Sequence, residues 1–563
     1  MFTTKKKQLA GSEPRQSKSK STTFGSSESA FVSGGMKKAV ETRSHNGAVK
    51  YSSTGNDFVD QFGKLGTYKA PRPFAEIAKD QELLWSQNKM MTVAFTLYIR
   101  MITRVTDIFG KKTSVAQKGA ELKHEGIMRM IWLYTKDKKA FEKNITLYLA
   151  VGSWKDIITM LQYDLVYNDW KGRILDWNFL GNLILAGLND KTQSELLKKY
   201  LPQIKANSQC KTVEAQADNR IAKWICSLIY GNKTDAQPAK TYKMYRKLKS
   251  SGTAHEWQQL ISQGKHNLID FDKIHGRALN LLVRSKFLKN QGLSAKYEKW
   301  ITKPTTEAKF TGFVHELFAK LGKVNRLTKG EQATIDKQFD TLVAKAREGE
   351  EKTKTSLIVV RDTSGSMGSS CAGTNMSCYD VAKALALYFS AFLTGKFEQA
   401  WIEFNSDAKM HTWKGSTATE RWFNDNTSYV GSTNFQSVIN LFCTIKKQGV
   451  AESEFPTGIL CISDGEFNPA QLGRTNVDAA KANLRKAGFS ADYVNNFVIV
   501  LWNVAHASGN GGTKFETYGG VPGVYYFSGY SAATVSFLTS NIKTAAELFE
   551  AAMNQEVLSM IEL

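Results

Sequence analysis

Leu357-Ile358-Val359-Val360-Arg361-Asp362-Thr363-Ser364-Gly365-Ser366-Met367 is the stretch on which the reading of the fold turns. Four apolar residues, Leu357 to Val360, form a short β-branched-rich run of the kind that becomes a buried central strand. The run ends in Asp362, Ser364 and Ser366, one carboxylate and two hydroxyls on alternate residues of a tight turn. Hard divalent cations such as Mg²⁺ take oxygen ligands, and such a turn offers three without enclosing an ion. In open α/β sheets ligand sites lie outside the carboxyl ends of strands. The same residues also fit an Asx/Ser turn capping the next helix.

Two later stretches favour the metal reading. Gly431-Ser432-Thr433-Asn434 places a hydroxyl ahead of a helical pattern over 435–445, and Gly458-Ile459-Leu460-Cys461-Ile462-Ser463-Asp464 is a second apolar strand ending in a carboxylate. With these, the sequence resembles the von Willebrand factor A domain and its metal-ion-dependent adhesion site, D-x-S-x-S, a separate Thr and a later Asp. The matching positions are Asp362, Ser364, Ser366, Thr433 and Asp464. The resemblance implies Mg²⁺ or another hard divalent cation held by these five residues, with a coordination position open to a carboxylate-bearing protein partner. The sequence supplies no general base or nucleophile beside the turn, so adhesion is expected rather than catalysis and no catalytic residue is assigned.

Around this centre the chain alternates strands, over 357–360, 400–404, 458–462, 497–501 and 524–527, with helices over 379–393, 435–445, 477–487 and 545–560. Alternating βα units predict a doubly wound, mostly parallel sheet spanning 351–563. Ser508-Gly-Asn-Gly-Gly512 lacks the Gly-Lys-Ser/Thr ending of a phosphate loop and reads as a surface turn, with His506 structural. The charged run Arg347 to Lys354 reads as the hinge before the sheet.

Charge divides the 563 residues unevenly. The total is +23, yet from Thr355 onward 14 Lys+Arg stand against 18 Asp+Glu, which leaves 61 against 34 and a net +27 on the front. A basic front points to a polyanion, with nucleic acid the leading candidate and solubility charge the plain alternative. Six scattered cysteines are too few for a disulfide framework and fit a reducing cytoplasm; Cys371 and Cys378 flank a small loop and are the pair able to join. The apolar runs are shorter than the roughly 20 residues of a membrane span, and the N-terminal lysines precede no apolar signal region.

Residues 1–43, rich in Ser, Thr, Gly and Lys, read as a disordered basic tail. Residues 44–350 carry helical patterns over 90–109, 120–133, 141–150, 154–166, 177–188, 214–229, 242–249, 271–288 and 305–321, joined by short breaks. Such a run predicts helix pairs stacked into an extended curved surface.

A helical array followed by an adhesion-site A domain is similar to the TROVE-module family, typified by the Ro ribonucleoprotein autoantigen. It is nearest an uncharacterised branch found in plants, fungi and large viruses or phages. The residues carrying the likeness are Asn46-Gly47-Ala48, Ser52 to Gly55, Phe62, Leu149 to Asp156, Tyr242 to Lys247, Phe271 to Ile274 and Gly520 to Ser531; His275 departs from an expected proline. The likeness implies a ring of HEAT-like repeats closed by the A domain, single-stranded RNA ends entering a basic hole, and structured small RNA on the outer surface. The residues themselves offer two basic segments: Lys240, Lys243, Arg246, Lys247 and Lys249 with Tyr242 and Tyr245 interleaved, and Arg284, Lys286 and Lys289. Cations neutralise phosphates and aromatics stack on bases; the same helix also fits a solvated face whose tyrosines pack inward. The function expected is a non-enzymatic RNA-binding scaffold, in the cytoplasm or in a virion. The alternative is an assembly component of a phage or virus particle whose basic surface packs on acidic subunits or genome.

Overall fold

The computed structural model describes residues 41–43, 49–51, 54–65, 71–102, 107–108, 111–115, 117–167, 174–231, 233–251, 255–310, 312–319, 321, 327–347, 357–371, 374–392, 397–470, 475–505, 523–528 and 545–563. The tail before residue 41, the hinge after Arg347, His506 and the 508–512 turn lie outside them.

Among the described residues the front of the chain is helical apart from two small antiparallel ladders, β1 (Glu41–Arg43) on β2 (Val49–Tyr51) and β3 (Asp107–Ile108) on β4 (Lys111–Lys112). Its helices begin with α1 (Asp57–Gly63), α2 (Phe74–Gln87), α3 (Lys89–Arg100), α4 (Lys123–Lys136), α5 (Lys138–Val151) and α6 (Trp154–Tyr167). They continue with α7 (Trp177–Asn189), α8 (Ser194–Tyr200), α9 (Val213–Tyr230), α10 (Lys233–Ala236), α11 (Pro238–Ser250) and α12 (Glu256–Ser262). The last are α13 (Gly276–Arg284), α14 (Phe287–Asn290), α15 (Ser294–Ile301), α16 (Val314–Phe318) and α17 (Lys329–Arg347). Local chemistry sets many starts. Asn56, Asn88, Asp137, Asp176 and Thr212 each accept a backbone N–H of the first turn, satisfying donors that have no partner within the helix.

Three helical expectations need correction. The segment expected helical over 90–109 ends at Arg100, where the buried guanidinium donates to Asp156 at 2.6 Å and the backbone turns extended at Met101. The 271–288 segment is broken by Gly276, whose φ of +60° no helix interior adopts and whose N–H donates to Lys309 O. Among the described residues of the expected 305–321 helix, only Val314–Phe318 is α-helical, and residues 306–310 form no regular element.

The rear of the chain is a six-stranded sheet, in the order β10 (Val524–Ser528), β9 (Val498–Asn503), β8 (Gly458–Ser463), β5 (Leu357–Asp362), β6 (Ala400–Phe404), β7 (Ala408–Thr412). All neighbours pair parallel except β6 and β7, an antiparallel edge hairpin that the sequence reading did not contain. Alternate residues of β5 enter two cores. Val359 packs with α18 (Cys378–Phe392) on one face, while Ile358 and Val360 pack with α20 (Phe435–Lys447) and α21 (Asn476–Lys486) on the other. From β5 the chain builds first toward β7 and then returns to β8 on the opposite side. The order therefore reverses between β5 and β8, which opens a crevice at their carboxyl ends.

The two parts share their cores. Phe318, Ile335 and Phe339, from α16 and α17, belong to the core of α18, and α17 also packs on α19 (Ala418–Asn424). The last segment runs the other way. The expected 545–560 helix divides into α22 (Ala545–Met553) and a 3₁₀ turn over Glu556–Met560, and Phe549, Met553, Val557 and Leu558 are buried in the core of the first helices. Gln555 exchanges hydrogen bonds with the Lys118 backbone, and Asn144 does so with Glu562. With α1 packed on α22 and β10, the helical path leaves from and comes back to the same α/β body. No helix among the described residues is long and apolar enough to cross a membrane.

Candidate metal centre

The crevice between β5 and β8 gathers the oxygens. Asp362, fully buried at the end of β5, accepts Ser364 N–H on Oδ1 at 2.8 Å and the Ser463 hydroxyl on Oδ2 at 2.5 Å. Ser364 Oγ lies 3.1 Å from Ser366 Oγ, and the Ser366 hydroxyl donates in turn to the Asp464 carboxylate. Thr433 is reached through its backbone. Val430 N–H donates to Thr363 O and Gly365 N–H to Gly431 O, while Asn468 N–H donates to Thr433 O. Segment 430–433 is thus tied to the first loop at one end and to the loop after β8 at the other. Gly431 has a φ of +81°, and a Cβ there would meet Ser406 Oγ at 2.7 Å. Asp362, Ser364, Thr433 and Asp464 are buried, whereas Gly365, Ser366 and Gly431 are not, so the cluster opens to solvent on that side.

Two carboxylates in this position repel. Burial, and then the charge of Asp464, push Asp362 up to about 7, and burial raises Asp464 as well. Among the described residues their hydrogen bonds come from Ser463, Ser364, Ser366 and backbone N–H groups, and none comes from a cation. The donor set fits a hard divalent ion: two carboxylates and several hydroxyls, with no nitrogen or sulfur ligand. Among the described residues no group of three or more His, Cys, Asp or Glu stands ready to hold a metal, so an ion here depends on the hydroxyls. Ser463 was missed at the sequence level. Its signal was a hydroxyl ending an apolar strand one residue before the second aspartate.

Arg361, one residue before Asp362, points to the other face and is fully buried. Its guanidinium lies 2.8 Å from Asp425, donates to Tyr379 and Thr427, and stacks 4.4 Å from the Trp401 ring centroid. Lys383 Nζ approaches the same Asp425 at 3.3 Å. Burial opposes the Asp425 charge, but Arg361 and Lys383 outweigh it and hold the carboxyl at about 2. Asp425 and Thr427 begin the loop that carries Thr433, so this ion cluster anchors it.

The basic segments separate by role. Lys240, Lys243, Arg246 and Lys247 are exposed on α11 and, among the described residues, make no side-chain hydrogen bond or ion pair. Lys249 is half-buried and donates to Lys199 O. Tyr245 is buried and donates to Pro202 O, and Tyr242 packs on the helical core, so these tyrosines pack inward. Lys286 and Lys289 are exposed, but Arg284 is turned inward onto the carbonyls of Glu316 and Leu317. Cys371 and Cys378 are buried and not joined by a disulfide; the Cys371 thiol donates to Val504 O.

A family model described as a domain of unknown function (DUF7788) matches residues 356–559, the α/β part. A comparison with curated proteins finds no match.

Proposed function

We propose that this chain is a non-enzymatic RNA-binding scaffold bearing a Mg²⁺-dependent adhesion site for a protein partner, a ring-forming TROVE-like helical module with a von Willebrand factor A-like domain. The observation that carries the reading is the buried pair Asp362 and Asp464, set among hydroxyls at the reversal of strand order, with no cation among its hydrogen-bond partners in the described residues. A bound Mg²⁺ would neutralise the pair and offer a Lewis-acidic position to an oxygen ligand. Asp362, Ser364, Ser366, Thr433 and Asp464 would hold it, and Ser463 fixes the second oxygen of Asp362. The open rim at Gly365, Ser366 and Gly431 is where a partner carboxylate would approach.

RNA enters the reading through charge and form. The front half carries the net +27, α11 presents four uncommitted cations, and the helical path starts and ends on one α/β body, as a closed ring requires. The test is a salt titration of RNA binding by the purified full chain. Log affinity should fall with log salt by about 0.7 per phosphate neutralised on a single strand. Absence of RNA affinity at low salt rejects the RNA reading. Asp362→Ala should abolish Mg²⁺-dependent capture of a protein partner and leave RNA affinity in place; loss of both together rejects the separation of roles.

A further inference from the structure

A groove of about 400 Å³ lies between the 268–271 segment and α15, and no residue of the two basic segments named above lines it. Its lining combines cations with apolar surface: Lys296, Lys299 and Lys303 beside Trp300 and Leu268. The parts are fixed to different degrees. Trp300 is held by its indole N–H on Asp272 at 2.7 Å and by ring contacts with Phe271 and Tyr297. Lys296 is spent on the wall itself, donating to the carbonyls of Asn267 and Ile269. Asp270, the carboxylate of the lining, accepts Asp272 N–H and lies 3.9 Å from Lys273. Lys299 and Lys303, by contrast, are exposed and make no side-chain hydrogen bond or ion pair among the described residues. Leu268 is 61% exposed next to them.

We propose that this groove seats one nucleotide step of a single RNA strand, the base against Trp300 and Leu268 and the flanking phosphates on Lys299 and Lys303. An ordered aromatic beside free ammonium groups is what sequence-tolerant single-strand binding uses. An acidic peptide would engage the lysines but gain little from the indole, which decides between the two polyanions. The inference rests on the RNA-binding reading above and adds a place to it.

The experiment measures binding of an unstructured oligouridine to the full chain by fluorescence anisotropy across salt concentrations. It compares wild type, Trp300→Ala and the double variant Lys299→Glu/Lys303→Glu, each checked for an unchanged melting transition. Trp300→Ala should weaken binding by about 5- to 150-fold. The double charge reversal, on exposed positions that do not bear on folding, should weaken it at least as much and reduce the salt slope by about 1.4. If wild type binds and both variants bind equally well, the groove assignment is overturned while the RNA reading stands. If wild type does not bind, the RNA reading itself fails. Competition by polyglutamate that the Trp300→Ala change leaves untouched, with oligouridine affinity also untouched, would assign the groove to an acidic protein and overturn the proposal.

Discussion

Arg361 and Asp362 are consecutive residues of one strand, both fully buried, and the protein treats their charges in opposite ways. On one face Arg361 has its counterion: a carboxylate, a phenol, a threonine hydroxyl and an indole ring surround it, although its Nε makes no hydrogen bond among the described residues. On the other, Asp362 faces a second buried acid, and hydroxyls and backbone N–H groups are its partners. A charge with its counterion in place holds structure; a pair of like charges without one is a site under electrostatic load. Strand alternation makes this possible, since adjacent side chains leave opposite faces and see different surroundings.

The comparison breaks most visibly when the same conservative change is made on each side. Asp425→Asn leaves Arg361 and Lys383 buried without their counterion, and should cost about 3–5 kcal/mol, seen as a lowered urea midpoint. Asp362→Asn removes repulsion while an amide can still accept from Ser364 N–H, so without metal it should stabilise the fold near neutral pH by about 1–3 kcal/mol. Destabilisation by both changes would mean that the two faces do not differ as described.

Acidity sharpens the contrast. The Asp362 carboxyl is raised in the folded state from 3.8 to about 7, so its contribution to stability is fully present below about pH 4 and is lost as pH rises toward 7. Asp425 is lowered from 3.8 to about 2, so its contribution is present above about pH 4 and is lost only as pH falls toward 2. Thermal melts in metal-free buffer should therefore show Asp362→Asn flattening the pH profile between about 4 and 7, and Asp425→Asn leaving its shape there unchanged. The smallest effect belongs to the exposed lysines. Replacing Lys243 or Lys247 with Ala should change stability by less than about 0.5 kcal/mol and lower the salt slope of RNA binding by about 0.7 for each phosphate left without its cation.

What could be read from the chain follows the range of the forces involved. β5 and β8 were legible because an apolar run ending in a carboxylate is a local pattern, and Asp362, Ser364 and Ser366 follow within one turn. Their approach to Asp464 needed the parallel pairing of the two strands, which the alternation of strands and helices implied. Asp425 was not legible as the partner of Arg361, since the two are 64 residues apart and neither carries a local motif. The edge strand Ala408–Thr412 was hidden by its exposure, which leaves a polar run without an apolar stripe. The break at Gly276 was hidden because one glycine lowers helix propensity by only about 1 kcal/mol, whereas the bond to Lys309 that fixes it is a tertiary one. The destination of Phe549 and Val557 in the first helical core was likewise invisible, because an amphipathic segment does not say which apolar surface it will cover.

Calorimetric titration of the metal-free full chain with Mg²⁺, near neutral pH, bears most directly on the loaded acid pair. The expected result is saturable binding at one site, abolished by Asp362→Asn and retained by Lys243→Ala. A wild-type chain that takes up no Mg²⁺ and no Mn²⁺ at millimolar concentration, or an Asp362→Asn chain that still binds at one site, contradicts it.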